Sequence, residues 1–222
     1  MLNLSKMAII GLSMLVVTIG LFATGCSYPT ERIHPQFASY RHAMGAMLVL
    51  VPEIGIFEQL PDGSRLFQDT QSRDAQRIAQ QSIVGQLQKR HFTVQTADAR
   101  MMKANEIQSI TALFRSVNRS IQLHTFGPQI YPDKLKAFEY QLGPVAGILK
   151  AHGADGLVLA LGHQTGSDQP ARNWLSIAVV EPQGRIIWYS VQGSHLQFNL
   201  QSPESVAALV ACAMANFWEP GS

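Results

Sequence analysis

Residues 173–193, NWLSIAVVEPQGRIIWYSVQG, constrain the fold more than any other stretch. Two apolar runs flank Pro182, Gln183 and Gly184. Proline presets φ and glycine accepts a positive φ, so the runs are expected to form a strand, a tight turn and a second strand. Just upstream, Gly156–Gln164 (GLVLALGHQ) is apolar almost throughout and reads as a buried strand. Within the last strand Trp188 and Tyr189 are adjacent, so their side chains fall on opposite faces of the sheet.

Around these strands the pattern alternates. AMLVLVPEIGIFEQL reads as an apolar run, and Pro61-Asp62-Gly63 as a turn that lets SRLFQDT pair back. Residues 73–90 place Ala75, Ile78, Ala79, Ile83 and Leu87 at helical spacing, with Asp69 or Ser72 as cap, and HFTVQTA follows as a short strand. Asp98 to about Leu123 reads as a more polar helix. Asp133–His152 reads as a third, kinked or split at Gly143-Pro144 and stopped at Gly153. Ser202 with Pro203 opens a last helix. The expected class is α/β (α+β), a single mixed sheet of about five to six strands with helices packed on it.

The first 25 residues do not fit that domain. Lys6 is their one charge, Met7–Phe22 has none, and small residues follow. This is the layout of a secretory signal. The 16 apolar residues span roughly 24 Å as a helix, short of a hydrocarbon core of about 30 Å. FATGC, ending at Cys26, resembles the bacterial lipobox, with Ala23 where leucine is usual. The resemblance implies lipidation of Cys26 (a palmitate-bearing anchor) after removal of residues 1–25. Ser27, in place of the aspartate associated with inner-membrane retention, implies the periplasmic face of the outer membrane. Residues 26–43 then read as a lipidated cysteine and tether, and 44–219 as a single periplasmic domain. Cys212, the other cysteine of two, would be left as a buried, unpaired thiol in an apolar helix.

Removal of Lys6 leaves 16 basic residues against 15 acidic, which argues against nucleic acid as a partner. The seven histidines form no H-x-H or H-E-x-x-H pattern, so no metal site is expected. No G-x-S-x-G, P-loop or G-x-G-x-x-G is present, and the expectation is a protein that is not an enzyme and has no cofactor beyond the lipid on Cys26.

Gly153-Ala154-Asp155 after a helix, and Gly184 with Ile186, Ile187 and Trp188 in a later hairpin, resemble the curli-secretion lipoprotein, the penicillin-binding-protein activator lipoproteins and the TolB N-terminal domain. The resemblance implies a membrane-anchored periplasmic lipoprotein that is a non-catalytic assembly or accessory subunit of a cell-envelope complex. Its partners would be envelope proteins, with self-association as an oligomer included. Trp188, Tyr189 and Trp174 are the expected partner-binding residues. The alternative is a small-ligand or cell-wall-fragment binding module. A pocket lined by Trp174, Trp188 and His163 would favour the alternative, and a broad apolar patch without a concavity would favour the partner reading.

Overall fold

The structure is a computed structural model and describes residues 30–97, 104–128, 132–166, 172–193 and 199–218. The signal and lipobox stretch, with Cys26, lies outside the described residues. The class is as expected, a mixed sheet covered by helices, but the sheet has eight strands. They are β1 (Thr30–Ile33), β2 (Ala46–Val49), β3 (Glu53–Gln59), β4 (Arg65–Phe67), β5 (Thr93–Thr96), β6 (Gly156–Thr165), β7 (Arg172–Val180) and β8 (Ile186–Gly193).

The hairpin that dominates the sequence forms the middle of the sheet. β6, β7 and β8 are successive antiparallel neighbours, and β1 closes one edge against β8. On the other side of β6 the chain does something the apolar pattern hides. The run from Ala46 to Gln59 is two strands, not one. Both pair parallel with β6, β2 along its first half and β3 along its second. Pro52 sits in the break, where a residue without an N–H cannot continue a ladder. The break gives each half a different outer neighbour, β5 for β2 and β4 for β3.

The stretch read as a tether is corrected from Thr30 onward. Thr30–Ile33 is the edge strand, and Phe37–Arg41 is a short helix, α1, that buries Phe37. A four-residue edge strand of mixed polarity, with every residue half-buried, carries no alternation long enough to read from sequence.

Helices cover both faces. On one lie α2 (Asp69–Gln88) and α6 (Pro203–Ala213). The four-residue spacing of Ala75, Ala79, Ile83 and Leu87 makes one stripe, which meets Val206, Leu209 and Val210 over the sheet. On the other lies α3 (Ala104–Phe126), burying Ile110, Phe114 and Ile121. The expected third helix is two short pieces, α4 (Pro132–Lys136) and α5 (Ala146–Ala151), with an irregular segment between them whose Leu142 N–H bonds the Gly184 carbonyl at 2.8 Å. Ser202 caps α6 as expected, accepting from the Ser205 N–H at 3.2 Å with Pro203 in the first turn.

The Gly-Ala-Asp motif has a structural duty. Gly153 takes φ +60° to end α5, and the Asp155 carboxylate accepts from the Gly45 and Ala46 amides at 2.9 Å each. It therefore fixes the start of β2 beside β6.

Candidate functional site

Trp188 and Tyr189 do lie on opposite faces, but neither offers a surface to a partner, and that expectation is corrected. Trp188 is 1 % exposed and packs under α6, its ring 4.7 Å from that of Phe217. Tyr189 is fully buried under α3, where burial raises the pKa of its phenol strongly. A register irregularity at Val179/Val180 puts Ile187 and Trp188 in the same cluster despite their adjacency, so the bulge turns two neighbouring large residues into one core.

Trp174 is different. It is half-buried and pairs directly across β6–β7 with His163. Directly paired residues share a face of the sheet, and the two rings lie at 25° with centroids 6.3 Å apart. The next neighbour of His163, on β3, is Gly55, and the next neighbour of Trp174, on β8, is Gly193. The row across four strands is therefore Gly, His, Trp, Gly, two rings 25° from parallel with the Phe57 ring over the Gly55 side and Gly193 beside Trp174.

This row forms part of the floor of a cleft of about 420 Å³ between the sheet and α3. Phe57 and Phe67 close one side, the Phe57 ring 5.3 Å from His163 and 5.4 Å from Phe67. The opposite wall is the polar side of α3, where Arg115, Asn118, Arg119 and Gln122 recur at helical spacing. Glu53 at the mouth accepts a bidentate pair from Arg115, at 3.0 and 2.8 Å. That pairing raises the Arg115 pKa, chiefly through the hydrogen bonds.

Asn118 anchors the wall. It is 3 % exposed, and its Oδ1 accepts from the Ser176 and Tyr189 hydroxyls at 2.8 Å each. By holding α3 to β7 and β8, this buried network fixes the distance between the arginines and the ring floor. Two groups in the cleft are left without a task in the fold. Arg119 is exposed and makes no ion pair or hydrogen bond among the described residues. The Gln122 Nε2, near the Tyr189 phenol, is buried without a well-formed hydrogen bond among the described residues, a costly state for a donor.

Of the residues singled out from the sequence, the structure brings Trp174 and His163 together and leaves Trp188 on the other face of the sheet. Arg119, Gln122, Asn118 and Phe57 carried no sequence motif; the one legible trace is the polar i, i+4, i+7 run at 115, 119 and 122. His163 donates to or accepts from Thr165 Oγ1 at 2.8 Å, and burial, then the Arg65 charge, lowers its pKa. A second, more polar cavity of about 450 Å³ includes His34, Glu139, Tyr140 and Arg185, without an aromatic floor of this kind.

Two partly buried histidines give a pH signature. Burial lowers the His34 pKa as well, against the opposing charge of Glu139. A histidine whose folded pKa lies below its unfolded value of about 6.5 leaves stability unchanged above that value and subtracts from it as the pH falls through it. The denaturant midpoint should therefore drop between about pH 7.5 and 5.5, and His163→Gln and His34→Gln should each flatten the drop. A midpoint that is flat or rises on acidification would contradict this.

Cys212 is buried in α6, as expected. No metal-binding group of three or more His, Cys, Asp or Glu occurs among the described residues, and no described helix is long and apolar enough to cross a membrane.

No protein-family model matches the chain, and no curated protein matches it. Among solved structures, the LpoB C-terminal domain from Salmonella enterica superposes with a TM-score of 0.27 at 14% sequence identity, over 72% of this chain and 93% of that one. A superposition at that score carries no argument for the site, which rests on the residues described above.

Proposed function

We propose that the protein is an exported, non-catalytic binding module, held at the periplasmic face of the outer membrane by a lipid on Cys26, that takes a small envelope ligand in the cleft between α3 and the sheet. The observation that carries this reading is the pairing of His163 with Trp174 on a floor flanked by glycines. A ring platform open to solvent, facing unpaired polar donors, is the composition of a small-molecule site, and about 420 Å³ falls within the usual range of roughly 300–1,000 Å³. The His163 Nε2 meets the Thr165 hydroxyl at 2.8 Å, and Thr165 does not line the cleft, so this pair is not aimed at a ligand there.

The test is amide NMR of the intact protein against a mixed set of small acids, sugars, amines and aromatics, following Gly55, Gly162 and the Trp174 indole. Fragments should shift these signals in the wild type and fail to do so in Gly55→Leu, whose side chain grows from the floor toward the Phe57 ring. Trp174→Ala provides a second variant that removes the platform without filling the cleft. If no fragment shifts the cleft, or if both variants bind as the wild type does, the reading fails.

A second reading, an accessory subunit acting through protein–protein contacts, draws on exposed apolar residues along α3. Leu113, Leu123 and Phe126 are 49 %, 57 % and 61 % exposed, more than isolated core-facing residues of that size would be. Serine substitution of all three should abolish capture of a partner in that reading and leave the cleft signals unchanged.

A further inference from the structure

We infer that the cleft takes an acidic saccharide, its ring laid on Trp174 and His163 and its carboxylate received by Arg119. This rests on the ligand-binding reading above and gives the ligand a chemical class. Three features of the site point the same way.

The floor comes first. A pyranose presents a face of C–H groups that packs on an aromatic ring, and it needs a flat platform with room at the margins for its equatorial substituents. In the row Gly55, His163, Trp174, Gly193 the two rings lie 25° from parallel, the Phe57 ring bounds the Gly55 side, and Gly193 leaves the margin beyond Trp174 without a Cβ. Gly55 is inside β3 and Gly193 ends β8, and glycine within a strand often marks close approach by another group. At Gly55 a Cβ would sit 2.9 Å from the Phe57 ring, so a side chain there would either displace that ring or occupy the floor.

The donors come next. Saccharides bring many acceptor oxygens and demand donors at fixed positions. The Gln122 Nε2, buried in the wall without a well-formed hydrogen bond, is such a donor already desolvated. A ligand oxygen at that point would remove the cost of leaving it unpaired. Asn118, locked by Ser176 and Tyr189, keeps the helix that carries Gln122 in register with the floor.

Charge decides between a neutral and an acidic sugar. Glu53 already answers Arg115, so the pair is closed. Arg119, one turn further along α3, has no carboxylate to answer it among the described residues, and Arg65 adds a further positive field at His163. The cleft is thus left with an unmatched guanidinium, whose planar fork receives a carboxylate with two parallel hydrogen bonds.

The experiment titrates the intact protein with N-acetylmuramic acid, with N-acetylglucosamine (the same ring without the lactyl carboxylate) and with benzoate, following the Gly55, Gly162 and Gly193 amides and the Trp174 indole. N-acetylmuramic acid should bind about tenfold more tightly than the neutral sugar, and Arg119→Gln should erase that difference while leaving the neutral sugar unaffected. Arg119 is exposed and unpaired among the described residues, so its replacement leaves the fold intact. Equal binding of the two sugars would overturn the acidic assignment, and binding of benzoate alone would overturn the saccharide; in both cases the cleft would still be a ligand site. If none of the three moves the cleft signals, the inference falls, and the mixed fragment set then decides whether the ligand-binding reading falls with it.

Discussion

Replacing Trp188 by alanine is expected to cost about 3–5 kcal/mol of stability, the range for truncating a buried aromatic residue. The side chain is 1 % exposed and lies in the core between the sheet and α6, against Phe217. Its polar end is also committed. The indole Nε1–H donates to the Glu31 carboxylate at 2.6 Å, which ties the edge strand β1 to its neighbour β8. Truncation therefore opens a cavity and removes one hydrogen bond from the Glu31 carboxylate, and both losses fall on β8 and its edge neighbour. Denaturant unfolding of Trp188→Ala measures the sum, and Trp188→Phe separates the parts by restoring most of the volume without the donor. A Trp188→Ala protein within about 1 kcal/mol of the wild type would mean that the residue lies at a surface, as the sequence alone had allowed.

Gly184→Ala is expected to cost on the order of 3 kcal/mol, from two separate effects. Gly184 adopts φ +91° in the turn between β7 and β8, a conformation that costs an L-residue roughly 1–2 kcal/mol. Its missing side chain also faces the Gly143 carbonyl, so an added Cβ would run into backbone that cannot rotate away. Overpacking of this sort adds roughly 1–3 kcal/mol. The contact matters because the segment at Gly143 is sewn to the turn on both sides, Leu142 N–H to the Gly184 carbonyl at 2.8 Å and Ile186 N–H to the Tyr140 carbonyl at 2.9 Å. Gly63 is the matched control. It has φ +83° in the β3–β4 turn with nothing within 4 Å of an added Cβ, so Gly63→Ala should show the backbone strain alone. If both variants lose the same stability, the close approach at Gly143 contributes nothing.

The central strands were legible because each is a long apolar run ended by a turn with its own chemistry: glycine at positive φ at Gly63 and Gly184, and again at Gly153 after α5. Helix α2 was legible for the same kind of reason, a four-residue stripe of small and branched apolar side chains. What escaped was set by pairing, not by pattern. Nothing local says that Ala46–Gln59 breaks at Pro52 into two strands that share β6, or that Thr30–Ile33 leaves the supposed tether to pair with β8.

The cleft shows the same limit more sharply. His163 and Trp174 stand eleven positions apart, Gly55 and Gly193 far from either, and only the register of four strands puts them in one row. Arg119 and Gln122 look in the sequence like the solvated side of a helix. They become a wall only because Asn118, on the same helix, is drawn down onto Ser176 and Tyr189. Conversely, Trp188 and Tyr189 attracted a partner role because aromatic residues are enriched at interfaces, and both proved to be core.

Whether the proposed ligand cleft works at a membrane turns on the chemistry of Cys26. Intact-mass spectrometry of the protein extracted from membranes reads that chemistry directly. An anchored binding module should begin at Cys26 and carry a diacylglyceryl group and an N-acyl chain. A chain without lipid would contradict the anchor and make the cleft part of an unanchored protein.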